Sequence, residues 1–341
     1  MLNTLELLEE LTQATGVVAD EGNAWEIAAK LAAPYGQVRT DALGNVIVTV
    51  REPKVGEPHL LLDAHLDEIG MAVREIDDEG FVHVIPNGGV DKRLLLAQEV
   101  TVHGTKPLYG IVAALAPHLM TEEDKKTVPE FDKITIDLGM NKEEVEQYVG
   151  PGDKITVNGK FTKLLGNRAA SKAMDDRAGI VSLLEAAQLL QGEELSCGLT
   201  LLFSTQEEIG GYGAKVGTFG IEPTHAIAVD VSFARTPDTP KNKTFPLGCG
   251  TLITASPAMS KKVFEELKTI AKEENIPYMV EVTGAQTGTN ANSIFDVKTG
   301  VLTGVLGIPL RYMHTPVEVI DLHDIECTAK LLAAYARKLG K

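Results

Sequence analysis

Seven residues have the types and placement needed for metal-assisted hydrolysis. They are His65 and Asp67 in AHLDE, Asp175 in KAMDDRAG, Glu207 and Glu208 in STQEEIGG, Asp230 in AVDVS and His314 in RYMHT. Each stands at or just after an apolar run, or at a helix start. Two histidines and three carboxylates make a ligand set for two divalent ions with one shared carboxylate. Imidazole and carboxylate donors suit zinc, cobalt or manganese, and the lack of thiolates fits a catalytic rather than a structural site. Ions about 3.5–4 Å apart can share a water and lower its pKa toward neutrality. Only a carboxylate has two oxygens to hold both ions at that spacing, and Asp175 is assigned that place. In HLD the aspartate can accept the other imidazole N–H and fix the tautomer. Adjacent side chains in the EE pair diverge, so Glu208 is read as a ligand and Glu207 as the general base.

Taken singly, each residue has an ordinary explanation. His65 could be a hydrogen-bonded loop histidine, and Asp175 a helix N-cap. Glu207 and Glu208 could offset a helix dipole, Asp230 could sit in a turn, and His314 could be packed. His59, His83, His103, His118, His225 and His323 lie outside the motifs and receive no role. Cys249, in LGCGT, is read as a small buried residue.

These residues need a scaffold to bring them together. The chain has 341 residues, a length that suggests roughly two domains. Hydrophobic residues make up 44% and charged residues 23%, which excludes a disordered or fibrous chain. The formal charge of -16 disfavours nucleic acid and anionic membranes as partners. Three cysteines without a CxxC pair fit a reducing compartment. No stretch approaches the roughly 20 apolar residues of a membrane span. The N-terminus carries Glu6, Glu9 and Glu10 where a signal peptide would carry lysines, so a cytoplasmic location is expected.

The opening segment reads as an amphipathic helix with Leu2, Leu5, Leu8 and Leu11 on one side. A second helix is predicted over 21–36 with Gly36 as its stop, followed by strands at Asn45–Val50 and His59–Leu62. From about residue 70 to 163 the texture changes to short β-like pieces between Gly, Pro and charged turns. One helix candidate, Asn141–Tyr148, and a polar connection over 118–133 interrupt them. Strand–helix alternation returns from 164. A helix follows Asp175, then a strand (GLTLLFS), a Gly-rich turn and another strand (HAIAVDV). After further helices and strands, a closing helix is capped by Asp321, with Asp324 near its positive end. The expected architecture is α/β. A mixed-sheet domain over 1–69 and 164–341 is interrupted by a β-rich insertion over 70–163.

In AHLDEIG, SKAMDDRAG, STQEEIGGYGA, AVDVS and RYMHTPVE, in this order, the chain resembles the tetrahedral-aminopeptidase family of dinuclear metallopeptidases. That family includes glutamyl and deblocking aminopeptidases and members labelled endoglucanase M. The resemblance covers essentially the whole chain. It implies a metallopeptidase domain of the phosphorylase/hydrolase-like type, with a small β-barrel dimerisation domain inserted. It implies one ion on His65, Asp175 and Asp230 and another on Asp175, Glu208 and His314. It gives Glu207 the role of base and Asp67 the support of His65. It also implies a tetrahedral dodecamer built from dimers. The loop GAQTGTNANS departs from the family pattern, with Asn290 where relatives carry an aspartate.

The favoured activity is removal of N-terminal residues from short peptides. A glycoside hydrolase is the second reading. It needs two carboxylates across a sugar bond and commonly an aromatic-lined cleft. Aromatics are only 5% here, and Trp25 is the single tryptophan, which weighs against it. A non-catalytic assembly protein on the same fold is the third.

Overall fold

The computed structural model describes residues 3–122 and 124–341. An 11-stranded mixed sheet forms the larger part. Its centre is parallel, with His59–His65 between Gly198–Ser204 and His225–Phe233, and the latter pairs in parallel with Leu302–Arg311. Every residue of His59–His65 and of Gly198–Ser204 is buried. A strand covered on both faces has no reason to alternate, so these strands read as near-continuous apolar runs. Side chains still alternate between two cores. Leu60, Leu62 and Ala64 join the core that includes helices Thr4–Gln13, Met174–Leu189 and Leu322–Lys338. Leu61, Leu202, Ala226 and Ala228 face the opposite core with Ala214 and Ile294. Full burial of each such leucine contributes about 1.5–3 kcal/mol.

The remaining strands close on themselves. Gly70–Ile76, Val82–Asn87, Thr135–Asp137, Pro107–Val112, Glu99–His103 and Lys154–Val157 form a six-stranded antiparallel barrel. Closure leaves no exposed strand edge. The barrel has its own core of Met71, Val73, Val84, Val100, Val102, Ile136 and Ile155. The fold is thus a mixed α/β sheet with a separate barrel, as expected.

Several local readings change. Leu8 and Leu11 are buried on the first helix, but so is Leu7, while Leu5 is half-buried; Leu2 lies outside the described residues. The second helix ends at Ala32, short of Gly36. Gly36 instead allows close approach of two backbones, since a Cβ there would lie 2.3 Å from the Thr49 carbonyl oxygen. The helix candidate at 141–148 is one turn, Lys142–Val145, closed by a capping box between Asn141 and Glu144. The connection over 118–133 holds short 3-10 turns and is largely exposed. A helix at Tyr212–Ile221 stands where only a Gly-rich turn was expected. Its glycines let it press on the sheet: a Cβ on Gly213 would meet the Thr205 carbonyl oxygen at 2.2 Å, and one on Gly217 would meet Leu202 at 2.9 Å.

Candidate metal centre

The cluster forms where the central parallel strands end, the edge on which open α/β sheets gather polar groups. His65 is the last residue of its strand, and Ser204 lies opposite it in register. This places the turn carrying Glu207 and Glu208 beside His65. Asp67 then locks that turn: its carboxylate oxygens accept the Glu207 N–H at 3.0 Å and the Glu208 N–H at 3.1 Å. Expectation had put the Asp67 carboxylate on the His65 imidazole. The Asp67 backbone carbonyl instead accepts the Nδ1–H at 3.0 Å, with the carboxylate at 3.6 Å.

Asp175 lies between the two histidines. One oxygen is 2.9 Å from His65 Nε2 and the other 3.3 Å from His314 Nε2. Asp230 approaches His65 Nε2 at 4.0 Å, and Glu208 approaches His314 Nε2 at 3.3 Å. Two groups of potential ligand atoms result, His65 with Asp175 and Asp230, and Asp175 with Glu208 and His314. Asp175 belongs to both. It is not the helix N-cap: Asp175 and Asp176 have non-helical backbone angles, and the cap is Asp176, whose Oδ1 accepts the Gly179 N–H at 3.1 Å.

The histidines are oriented from behind. His65 Nδ1 faces the Asp67 carbonyl, and His314 Nδ1 faces the Gly89 carbonyl at 3.2 Å. Gly89 follows the barrel strand Val82–Asn87, so the barrel side of the molecule holds one histidine. A Cβ at Gly89 would lie 2.6 Å from His314 Nδ1. With Nδ1–H donated backward, each Nε2 presents a lone pair to carboxylate oxygens. Two such acceptors attract only through a cation between them, either a proton or a metal ion. The donor set is therefore suited to divalent ions.

The electrostatics express the same demand. Hydrogen bonds to the Asp175 and Glu208 carboxylates push the His314 pKa up to about 11. Burial works to lower the His65 pKa, but the contacts with Asp175 and Asp67 raise it well above the usual value. Burial opposes ionisation of Asp175, yet its two histidine partners hold its carboxyl below the usual range. Glu207 makes no bridge between the histidines and lines the cavity beside them. Burial, with Asp175, Glu208 and Asp67 nearby, pushes it up to about 7.

Three supporting residues were not singled out from the sequence. Glu318 is 2% exposed, and its carboxylate accepts the N–H groups of Met174 (2.7 Å), Asp175 (3.2 Å) and His314 (2.7 Å). One side chain thus fixes the backbone of two cluster residues. Burial and the Asp175 charge push its pKa up, and the three amides oppose that. Glu68 forms a buried ion pair with Lys172 at 2.7 Å and accepts the Gly16 N–H. Arg177 is fully buried behind the cluster and donates to the Leu11 carbonyl at 2.9 Å. Burial lowers its pKa, while Glu68, Asp67, Glu21 and Asp176 oppose the shift. The sequence signals are in the motifs themselves: Arg177 in DDRAG, Glu68 in HLDE and Glu318 at the end of HTPVE.

Asn290 is not a loose turn residue. It is 3% exposed and its Nδ2 donates to Ser204 Oγ at 2.8 Å. Cys249 belongs to neither ligand group. It sits in a turn whose Gly248 and Gly250 N–H groups donate to Asp324.

Residues 44–331 match the family described as M42 glutamyl aminopeptidase. The chain belongs to this family. It is an aminopeptidase of the metallopeptidase class. Over 311 residues it is 38% identical to the lysyl aminopeptidase of Pyrococcus furiosus, covering 89% of this chain and 87% of that one. An aminopeptidase from the archaeon Desulfurococcus kamchatkensis has the same fold, with a TM-score of 0.91 at 34% identity over 98% of this chain and 94% of that one. The TET peptidase of Pyrococcus horikoshii, described as able to assemble into a tetrahedron or a large octahedral shell, gives 0.88 at 32% identity over 99% and 100%. Among the described residues, no helix of this aminopeptidase is long and apolar enough to cross a membrane.

Proposed function

We propose that this aminopeptidase releases N-terminal residues from short peptides with two divalent ions per subunit. The observation that carries the reading is the placement of Asp175, with one oxygen toward each histidine. His65, Asp175 and Asp230 would hold one ion, and Asp175, Glu208 and His314 the other. Zinc or cobalt fits these nitrogen and oxygen donors best, and manganese also suits them. Bound there, such ions supply Lewis acidity, which lowers the pKa of a water and polarises a carbonyl.

The chain's own residues do the rest. Glu207 lines the cavity and serves as the base: a carboxylate oxygen takes a proton and returns it to the departing amine. Asp67 keeps Glu207 and Glu208 at their angle by holding both amides. The backbone carbonyls of Asp67 and Gly89 keep Nε2 of each histidine free to act as a ligand.

The barrel is read as a dimerisation domain, with 70–163 as the insertion and 1–69 with 164–341 as the catalytic part. Assembly into a dodecamer is supported by a similar solved structure described as one, 32% identical with a TM-score of 0.88. A cytoplasmic location is supported by three free cysteines. The test is a panel of aminoacyl-p-nitroanilides and their N-acetylated forms, assayed on chelated protein with each metal restored. Cleavage is expected of free N-termini only, and only with metal. Equal cleavage of the acetylated forms would overturn the exo-acting assignment.

A further inference from the structure

We propose that Glu281 makes the catalytic cavity selective for a cationic first residue, lysine or arginine. The inference rests on the aminopeptidase reading and adds the class of substrate to it.

Two cavities meet at the cluster, and Asp175, Glu208 and His314 line both. Glu207 and Asp230 line only the larger. The smaller is lined by Ile69, Val90, Leu94 and Leu95, and also by Glu68, Asp91 and Lys172. Five carboxylates line each cavity, but among the described residues a lysine lines only the smaller, so a peptide's free ammonium, and with it the first residue, is drawn to the larger. The remainder of the peptide then leaves along the smaller.

Glu281 stands on the wall of that larger cavity, on the strand Tyr278–Val282. Its carboxylate is held at both ends. Oε1 accepts the Ser232 hydroxyl at 2.5 Å, and Oε2 accepts the Thr254 hydroxyl at 2.8 Å. The two hydroxyls fix its orientation and bring no positive charge. Each oxygen keeps a further lone pair for an ammonium or guanidinium. No lysine or arginine lines the cavity among the described residues, so the charge of Glu281 is left for the substrate. An acidic side chain in the same place meets a like charge. The Ser232 and Thr254 hydroxyls beside it are already turned toward Glu281.

The test uses full-length, metal-loaded protein and lysyl-, norleucyl- and glutamyl-p-nitroanilide. Norleucine matches the lysine stem without its charge. A charge-assisted hydrogen bond predicts kcat/KM for lysyl about 10- to 100-fold above norleucyl, with glutamyl lowest. In Glu281→Gln the lysyl-to-norleucyl ratio falls about tenfold or more, and a ratio that holds would overturn the role of Glu281. Calorimetry supplies a readout independent of turnover and of any variant: wild-type protein binds L-lysine more tightly than L-norleucine. Equal affinities would overturn the inference. If norleucyl substrate is cleaved as well as lysyl, the pocket inference fails and the aminopeptidase reading stands. If nothing is cleaved yet lysine binds the tighter, the activity reading fails and the pocket inference stands.

Discussion

Replacing Glu318 by glutamine removes one acceptor oxygen from a buried position that serves three donors. The native carboxylate takes Met174 and Asp175 N–H on Oε2 and His314 N–H on Oε1. Glutamine can serve one side only, and its NH2 then faces a backbone N–H on the other. A hydrogen bond to a charged acceptor contributes about 1.5–3 kcal/mol, and a buried donor left facing another donor costs a similar amount. The expected loss is on the order of 2–4 kcal/mol, a fall in melting temperature of roughly 3–6 °C for a chain of this size. The functional effect is uneven. Two of the three ligands in the group with Glu208, Asp175 and His314, are affected, against Asp175 alone in the group with His65 and Asp230. Affinity at the Glu208 and His314 group should fall about 10- to 100-fold, the usual consequence of losing an outer-shell partner. The assays are calorimetric metal titration and thermal denaturation at fixed protein concentration. Two unaltered affinities with an unaltered melting temperature would refute the reasoning.

Three further outcomes follow from the same contacts. Glu207→Gln should fold and bind both ions while losing about 10²- to 10⁴-fold in kcat; near-normal turnover would remove Glu207 from the role of base. Gly89→Ala places a methyl 2.6 Å from His314 Nδ1 and should weaken one ion by about 10- to 100-fold, so wild-type affinity in metal titration would contradict the role of the barrel in holding His314. Asp324 is raised by burial from its ordinary 3.8 to about 7. The folded chain therefore binds this proton more tightly than the unfolded chain. The stability it contributes is complete below about pH 4 and is lost as pH rises through about 7, at up to about 1.4 kcal/mol per pH unit. Asp324→Asn lacks that slope, so the stability difference from wild type, read by denaturant unfolding, should narrow as pH rises; parallel curves would contradict it.

The sequence revealed the strand tips because central strands are apolar throughout and stop abruptly at polar residues. His65, Glu207, Glu208, Asp230 and His314 could be picked out on that basis. Asp175 was ambiguous, since an aspartate at a helix start usually caps it; here the neighbouring Asp176 does the capping, and the Asp175 carboxylate faces both histidines. Contacts between distant segments were not legible. The reach of Asp67 to the Glu207 and Glu208 amides spans some 140 residues, and that of Gly89 to His314 spans 225. Glu318 reads as a polar residue at a strand start, and nothing local marks it as an acceptor for three amides. The helix at Tyr212–Ile221 was hidden by Gly213, Gly217 and Gly220, two of which serve packing against the sheet.

The central claim is that one carboxylate, Asp175, is shared by two ions. Anomalous diffraction from crystals grown with zinc, measured on both sides of the zinc edge, tests it most directly. Two peaks about 3.5–4 Å apart are expected, one beside His65 and Asp230 and one beside Glu208 and His314, with Asp175 touching both. A single peak, or two peaks with Asp175 bound to only one, would contradict the account.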